Sequence, residues 1–167
     1  QAFGPFTDPK LQREMELIGS NASLLCARDS VSLAHLKDLG LENAKQFPDI
    51  TFALDSKDRA APDIKHSPYG CLIINNKMVT SNNMQKNDLL DLFTASGKCM
   101  QKHGIFPQVL LHEPKEDKSL ADELAQSLDC PIIELEDARD IKNCIKHSYV
   151  TVTARFHGLV SALSTGT

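Results

Sequence analysis

The chain has 167 residues, of which 41% are hydrophobic, 24% are charged and 5% are aromatic, and its formal net charge is −4. This composition is that of a globular domain and excludes collagen-like or low-complexity character. A mild negative charge argues against a nucleic-acid partner, and no apolar run approaches the roughly 20 residues that a membrane span needs.

Both ends of the chain look like cuts within a longer sequence. The chain begins at Gln1 rather than at an initiator Met, and it stops at Thr167 within a predicted helix-to-strand turn. Neither end carries the charged and apolar regions of a signal peptide. We therefore expect an internal or C-terminal fragment of a longer protein, with any targeting signal outside it.

The cysteines predict neither a disulfide framework nor a zinc site. Their number is odd, their spacings are wide and no Cys-x-x-Cys pair occurs. The five are Cys26, Cys71, Cys99, Cys130 and Cys144. We expect buried thiols in a reducing compartment and no bound metal.

The first part of the chain alternates helix and strand. Apolar residues at near-helical spacing predict a helix over 9–22, which is followed by a strand at 23–27. A second helix is predicted over 30–39, with Gly40 as its C-terminal cap. Residues 47–54 predict a turn and then a short strand.

Residues 55–68 are polar, contain two prolines and show no periodicity, so they are the predicted linker. Beyond the linker, strands are predicted at 69–74, 108–112, 131–135 and 149–153, and helices at 87–103, 119–128, 137–147 and 156–163. Continuous apolar strands alternating with helices predict an α/β fold with a parallel sheet covered on both faces, a Rossmann-like doubly wound domain. We divide the chain into the end of a first domain (1–54), the linker, and a second domain (69–167) truncated at its C-terminus.

The carboxyl end of the last predicted strand carries the strongest candidate site, because ligands of doubly wound sheets bind at strand ends. Arg155 offers a charged fork for phosphate or carboxylate, and the helix that starts there favours an anion. His157 can transfer a proton near neutral pH, and Gly158 lets the backbone approach a ligand. The competing interpretation is that Arg155 forms a local ion pair and His157 caps the helix.

The first predicted strand repeats this arrangement. It ends at Arg28, just before a helix for which Asp29 or Ser30 would be the N-cap, and no local partner for Arg28 is evident. Two strand-end arginines could face each other across a cleft, which would suit a ligand with two anionic ends. His112 also ends a strand and could line the same cleft.

Three stretches in a fixed order resemble the polysaccharide pyruvyl transferase family. They read Gln-Ala-Phe-Gly-Pro-Phe at 1–6, Ala-Arg-Asp-Ser-Val-Ser at 27–32 with Pro48 and Asp49 beyond it, and Ala-Arg-Phe-His-Gly-Leu at 154–159. Departures from the family's pattern are modest: Ile-Thr stands at 50–51 where Pro-Ala is common, and Phe156 replaces the usual Leu.

The resemblance implies a two-domain, glycosyltransferase-B-like enzyme with its active site between the domains. Such an enzyme transfers the enolpyruvyl group of phosphoenolpyruvate to a saccharide or lipid-linked oligosaccharide, forms a pyruvate ketal and releases phosphate. It implies no cofactor besides this donor, and a location in the cytoplasm, free or membrane-associated, or in the Golgi lumen of a eukaryote.

The resemblance also implies roles for particular residues. Arg28 and Arg155 would hold the phosphate and carboxylate of the donor, helped by the Phe156 backbone. His157 would be the acid–base group. Asp29 and Gly158 would be supporting residues of this donor site.

Two other functions remain open on the sequence alone. A glycosyltransferase-B-like enzyme could bind the diphosphate of a nucleotide sugar at Arg155, with Glu134 or Glu136 on the ribose. A non-catalytic module could instead sense a phosphorylated metabolite through its arginines, with His157 only as a cap.

Overall fold

The computed structural model describes residues 2–55, 64, 67–81 and 84–167. The chain divides into two compact units, Gln1–Ala53 and Leu54–Thr167. Most of the predicted linker at 55–68 lies outside the described residues, so the linker stays a prediction.

The first unit contains short elements around a small core. In chain order these are helix α1 (Pro9–Asn21), strand β1 (Leu25–Ala27), helix α2 (Ser30–Asp38), strand β2 (Ala44–Gln46) and a 3-10 helix (Ile50–Ala53). The two strands pair in parallel. Both predicted helices and the first strand are confirmed. Apolar side chains from every α-helix and strand form the core, which is Met15, Leu25, Ala27, Leu36, Leu41 and Ala44.

Gly40 ends α2 as predicted, because the chain turns there into the left-handed region at φ +75°. The Gly40 N–H donates to the Lys37 carbonyl (2.8 Å), and the Leu41 N–H donates to the Leu36 carbonyl (3.2 Å). This pair of bonds is the Schellman arrangement, which satisfies carbonyls that the helix end leaves over.

The strand predicted within 47–54 is wrong. The Asp49 carboxylate accepts the Thr51 N–H (2.9 Å), and the Asp49 carbonyl accepts the Phe52 N–H (3.0 Å), which turns this segment into the 3-10 helix. The partner of β1 lies earlier, at β2, where Lys45 and Gln46 are exposed and give no apolar signal.

The second unit alternates strands and helices regularly. Its elements are β3 (Tyr69–Ile73), α3 (Lys77–Thr80), α4 (Lys86–Lys102), β4 (Phe106–Leu111), α5 (Pro114–Leu128), β5 (Ile132–Glu134), α6 (Ala138–Lys146), β6 (Val150–Thr153) and α7 (Phe156–Thr165). All four predicted strands and all four predicted helices are present. The short helix α3 was not predicted, and α5 begins at Pro114 rather than at 119. A proline suits the first helical position, and acidic residues follow it in the first turn, where the helix dipole favours them.

The four strands of this unit form one parallel sheet in the order β5-β4-β3-β6. Leu72, Val109 and Leu111 pack against apolar side chains of α4 and α5 on one face. On the other face, Cys71 and Leu110 pack with apolar residues of α6 and α7. A parallel sheet covered by helices on both faces confirms the predicted Rossmann-like α/β architecture for this unit.

The strand order places a topological switch point between β3 and β6. From β3 the chain adds β4 and β5 on one side, and it then returns to place β6 on the other side of β3. In open α/β sheets, ligands bind in the crevice outside the carboxyl ends of the strands at such a reversal. The residues that follow β6 are therefore in the position where a ligand is expected.

The prediction of buried thiols holds for only part of the set. Cys71 and Cys144 are buried, with their sulfur atoms 4.0 Å apart, whereas Cys26 and Cys99 are exposed. Burial contributes to the raised pKa of the Cys130 thiol, which is about 11.

Candidate functional site

The candidate site lies where β3 and β6 end side by side. The Asn75 side-chain amide, just beyond β3, donates to the Ala154 carbonyl just beyond β6 (3.0 Å). Arg155 is the N-cap of α7, and its backbone N–H donates to the Thr153 hydroxyl (3.0 Å). These bonds fix the position of the arginine at the switch point.

The Arg155 guanidinium is held by a carboxylate from α5. Its Nε and Nη2 atoms donate to Asp117 Oδ2 at 3.0 and 2.6 Å, and the other oxygen of Asp117 accepts the Asn76 N–H (2.9 Å). Asp117 is fully buried, and only 13% of the Arg155 side chain is exposed. The local ion pair that the alternative interpretation of Arg155 predicted is therefore present. It occupies one edge of the guanidinium.

Arg155 retains a second edge. Besides the Asp117 bonds, Nη2 makes one long hydrogen bond, to Glu116 Oε2 (3.4 Å). Nη1 has no hydrogen-bond partner among the residues that the structure describes. Arg155 is thus anchored along its Nε–Nη2 edge and offers donors along its Nη1–Nη2 edge, an arrangement that can hold an oxyanion in a defined orientation.

His157 is the second residue of α7 and is exposed. The N-cap of the helix is Arg155, so His157 stands inside the first turn rather than at the cap position. Its ring contacts that of Phe156 edge to face, with 5.5 Å between the ring centres. An exposed imidazole beside an anchored arginine can exchange protons with a bound molecule.

His112 belongs to the same electrostatic environment. Burial lowers the pKa of His112, and the nearby side chains of Arg155 and His157 lower it further. The carboxylates of Asp117 and Glu113 partly oppose this shift. His112 directly follows β4, and only β3 separates β4 from β6 in the parallel sheet, so His112 and Arg155 lie at the same edge of the sheet. At neutral pH the His112 imidazole is uncharged.

The lowered pKa of His112 predicts a contribution to acid sensitivity. Below the pKa of about 6.5 that an unfolded histidine has, the unfolded chain binds a proton that folded His112 does not, so stability falls as the pH drops. Between pH 7 and 5, the variant His112→Gln should lose less unfolding free energy than the wild type does. Urea unfolding at both pH values measures this. Equal losses in His112→Gln and in a control, the exposed His103→Gln, would contradict it.

Gly158 is required by the packing of α7 on the sheet. A Cβ atom there would lie 2.5 Å from the Thr153 hydroxyl oxygen and 3.2 Å from Ile73 Cδ1. The glycine lets the helix approach β3 and β6 closely, which is one use of glycine at such sites. Its close approach to a ligand stays a prediction.

Arg28 lies in the first unit, and the expectation that it lacks a local partner is wrong. Its Nη1 atom is 3.4 Å from Asp49 Oδ2, and its Nε atom is 3.8 Å from Asp29 Oδ2. Asp29 is the N-cap of α2, as predicted, and accepts the Ser32 N–H (2.7 Å). Hydrogen bonds from Ser32, together with the Arg28 charge, lower the pKa of Asp29.

The structure thus brings Arg155, Phe156, His157, Gly158 and His112 to one edge of the second unit. The sequence alone did not indicate Asp117 as a partner of Arg155, and Asp49 was named only as part of the family resemblance, with no role. The described part of the chain contains no group of three or more His, Cys, Asp and Glu side chains that could hold a metal ion. None of its helices is long and apolar enough to cross a membrane.

Fold and site together define an α/β protein with a parallel sheet and an anchored arginine at the switch point of its second unit. The chain belongs to the polysaccharide pyruvyl transferase family, whose family model matches residues 1–167. This confirms the resemblance, and the protein is a transferase of polysaccharide biosynthesis that acts on a polysaccharide acceptor. The comparison with curated proteins gives no match.

Proposed function

We propose that the protein transfers the enolpyruvyl group of phosphoenolpyruvate to a sugar of a polysaccharide or lipid-linked oligosaccharide. The observation that carries the proposal is the anchored guanidinium of Arg155, which presents donors at the switch point beside His157. Phosphoenolpyruvate is a small molecule with a phosphate and a carboxylate. Arg155 and the first N–H groups of α7, including that of Phe156, suit one of these anions.

Arg28 is proposed to bind the other anion of the donor. It belongs to the first unit, so this role requires the two-domain, glycosyltransferase-B-like organisation that we propose for the whole enzyme. Asp49 and Asp29 restrict the Arg28 side chain, which lowers the entropy that is lost when it binds a ligand.

The proposed reaction balances without a redox partner. One sugar hydroxyl adds to C2 of the enolpyruvyl group and gives up its proton, while C3 takes up a proton and becomes a methyl group. A second hydroxyl then replaces phosphate at C2, which closes the ketal, and its proton leaves with the phosphate. His157 is the proposed proton carrier, and Arg155 with the α7 N-terminus stabilises the charge on the departing phosphate. The scheme calls for no cofactor besides the donor.

Binding of the donor tests the proposal. In calorimetric titrations of the full-length protein, phosphoenolpyruvate should bind to the wild type, and Arg28→Ala and Arg155→Ala should each abolish detectable binding. Arg155→Lys should fail as well, because an ammonium group cannot reproduce the two-sided fork. Arg139→Ala is the matched control, since Arg139 is an exposed arginine paired with Asp137 on the surface.

Two outcomes would favour one of the alternative functions instead. Binding of a UDP-sugar in place of phosphoenolpyruvate would favour the nucleotide-sugar glycosyltransferase, although the exposed Glu134 lies on edge strand β5, on the far side of β4 and β3 from β6. Binding of phosphoenolpyruvate without turnover on any saccharide would favour the anion-sensing module. Cytoplasmic, membrane-associated or Golgi location belongs to this proposal and is tested by imaging of the full-length protein.

A further inference from the structure

Glu116 lies between two cations at the candidate site. Its Oε2 atom is 3.4 Å from Arg155 Nη2, and its Oε1 atom is 3.4 Å from Lys77 Nζ. Lys77 begins α3, directly after the turn that leaves β3, and its backbone N–H donates to the Asn75 side chain (3.0 Å). One carboxylate therefore bridges a lysine from the end of β3 and the arginine from the end of β6.

The two carboxylates that contact Arg155 differ in burial and in the length of their hydrogen bonds to it. Asp117 is fully buried and accepts at 2.6 and 3.0 Å, so it is a fixed part of the fold. The Glu116 side chain is 41% exposed and accepts at 3.4 Å, and its partner Lys77 is 58% exposed. Exposed ion pairs of this kind contribute little and exchange readily with solvent or with another anion.

We propose that Glu116 is an exchangeable counter-ion that occupies the position of a phosphoryl group, and that Lys77 is a second cation for that group. The proposal deepens the proposed function and rests on it for the identity of the donor. A phosphoryl group has three terminal oxygens, so it can contact Arg155 and Lys77 together, as the two oxygens of Glu116 do. The Asp117 bonds need not change, because Nη2 carries two N–H groups and the ligand would use the Nη1–Nη2 edge of Arg155, whereas Asp117 accepts along the Nε–Nη2 edge.

This exchange gives opposite effects for the two partners of the bridge. Glu116→Gln removes the competing negative charge, and the Kd for phosphoenolpyruvate should fall about three- to fivefold. Lys77→Ala removes a charged hydrogen-bond donor, and the Kd should rise about tenfold. Because binding to Glu116→Gln no longer requires displacement of a carboxylate, the Kd for inorganic phosphate should fall by the same factor.

The experiment titrates phosphoenolpyruvate and, separately, inorganic phosphate into the full-length wild type and each variant by calorimetry. Matched controls come from the same face of the unit, where Lys86 on α4 pairs with Glu123 on α5. Glu123→Gln and Lys86→Ala should leave both Kd values unchanged, because among the described residues the ion pairs of Arg155 are with Glu116 and Asp117 and not with this pair.

The outcomes separate this inference from the proposed function. If phosphate shows the opposite shifts of Glu116→Gln and Lys77→Ala but phosphoenolpyruvate does not bind, the donor assignment fails and the phosphoryl position stands. If phosphoenolpyruvate binds but Glu116→Gln weakens or does not change its affinity, the exchange is wrong and the donor assignment stands. Absence of binding of either compound to the wild type would overturn both.

Discussion

Replacing Asp117 with alanine is expected to lower the free energy of unfolding by about 3–5 kcal/mol and to abolish anion binding. Asp117 is fully buried and accepts two hydrogen bonds from Arg155 and one from the Asn76 N–H. Its loss would leave a mostly buried guanidinium without its short ion pair and a backbone N–H without its acceptor. Removal of one partner of a buried pair costs far more than the pair itself contributes.

Urea unfolding of the full-length protein measures this effect, with phosphoenolpyruvate titration as the second measurement. Asp122→Ala is the matched control, because Asp122 also lies on α5 but forms an exposed ion pair with Lys118. That control should change stability by less than about 0.5 kcal/mol. Comparable small losses in both variants would show that Asp117 does not hold the site.

A double-mutant cycle separates the two consequences of losing Asp117. Adding Arg155→Met to Asp117→Ala removes the stranded charge, so the double variant should regain part of the lost stability. It should not regain anion binding, because Arg155 is the proposed ligand-binding group. Recovery of binding together with stability would mean that the anion binds elsewhere.

The fold of the second unit can be predicted from the sequence because its central strands are too apolar to face water on either side of the sheet. Val109, Leu110 and Leu111 are consecutive apolar residues, and a strand buried on both faces accommodates them. Two strands of this kind, β3 and β4, and the two shorter, partly buried strands β5 and β6 alternate with helices, so a parallel doubly wound sheet is expected. The position of Arg155 at a strand end then follows from its place directly after the last strand.

The partners of the two arginines could not be derived in the same way. Asp117 is 38 residues from Arg155 in the chain, and in the sequence it reads as an acidic residue near a helix start, where the dipole favours it anyway. Asp49 is 21 residues from Arg28 and stands next to a proline, which indicates only a turn. Contacts of this kind depend on how elements pack, and periodicity carries no information about them.

The strand wrongly predicted within 47–54 has a related cause. Ile50 and Phe52 suggested a strand, yet both side chains are exposed, and the backbone follows the hydrogen bonds that Asp49 makes. An apolar residue indicates burial only where a neighbouring element covers it, so a local capping bond decided the structure here.

Replacing His157 with alanine is expected to lower turnover about 100- to 10,000-fold while the Kd for phosphoenolpyruvate changes less than about threefold. His157 is exposed in the first turn of α7, two residues after the anchored Arg155, so it can reach a bound donor without holding it. Phosphate release from phosphoenolpyruvate, with a panel of nitrophenyl hexosides as acceptors, measures turnover in the full-length protein. His103→Ala, an exposed histidine at the end of α4, should leave both quantities unchanged.

The other imidazole at this edge of the sheet sharpens the prediction. The lowered pKa of His112 keeps it uncharged at pH 7, so it is suited to accept a proton and poorly suited to donate one from a charged form. The proposed transfer of the enolpyruvyl group requires a proton to be delivered to the methylene carbon, and His157 is the proposed donor. If His157→Ala keeps its turnover while His112→Ala loses it, the acid–base role belongs to His112. If neither substitution affects turnover, proton transfer must use a group outside this edge of the sheet.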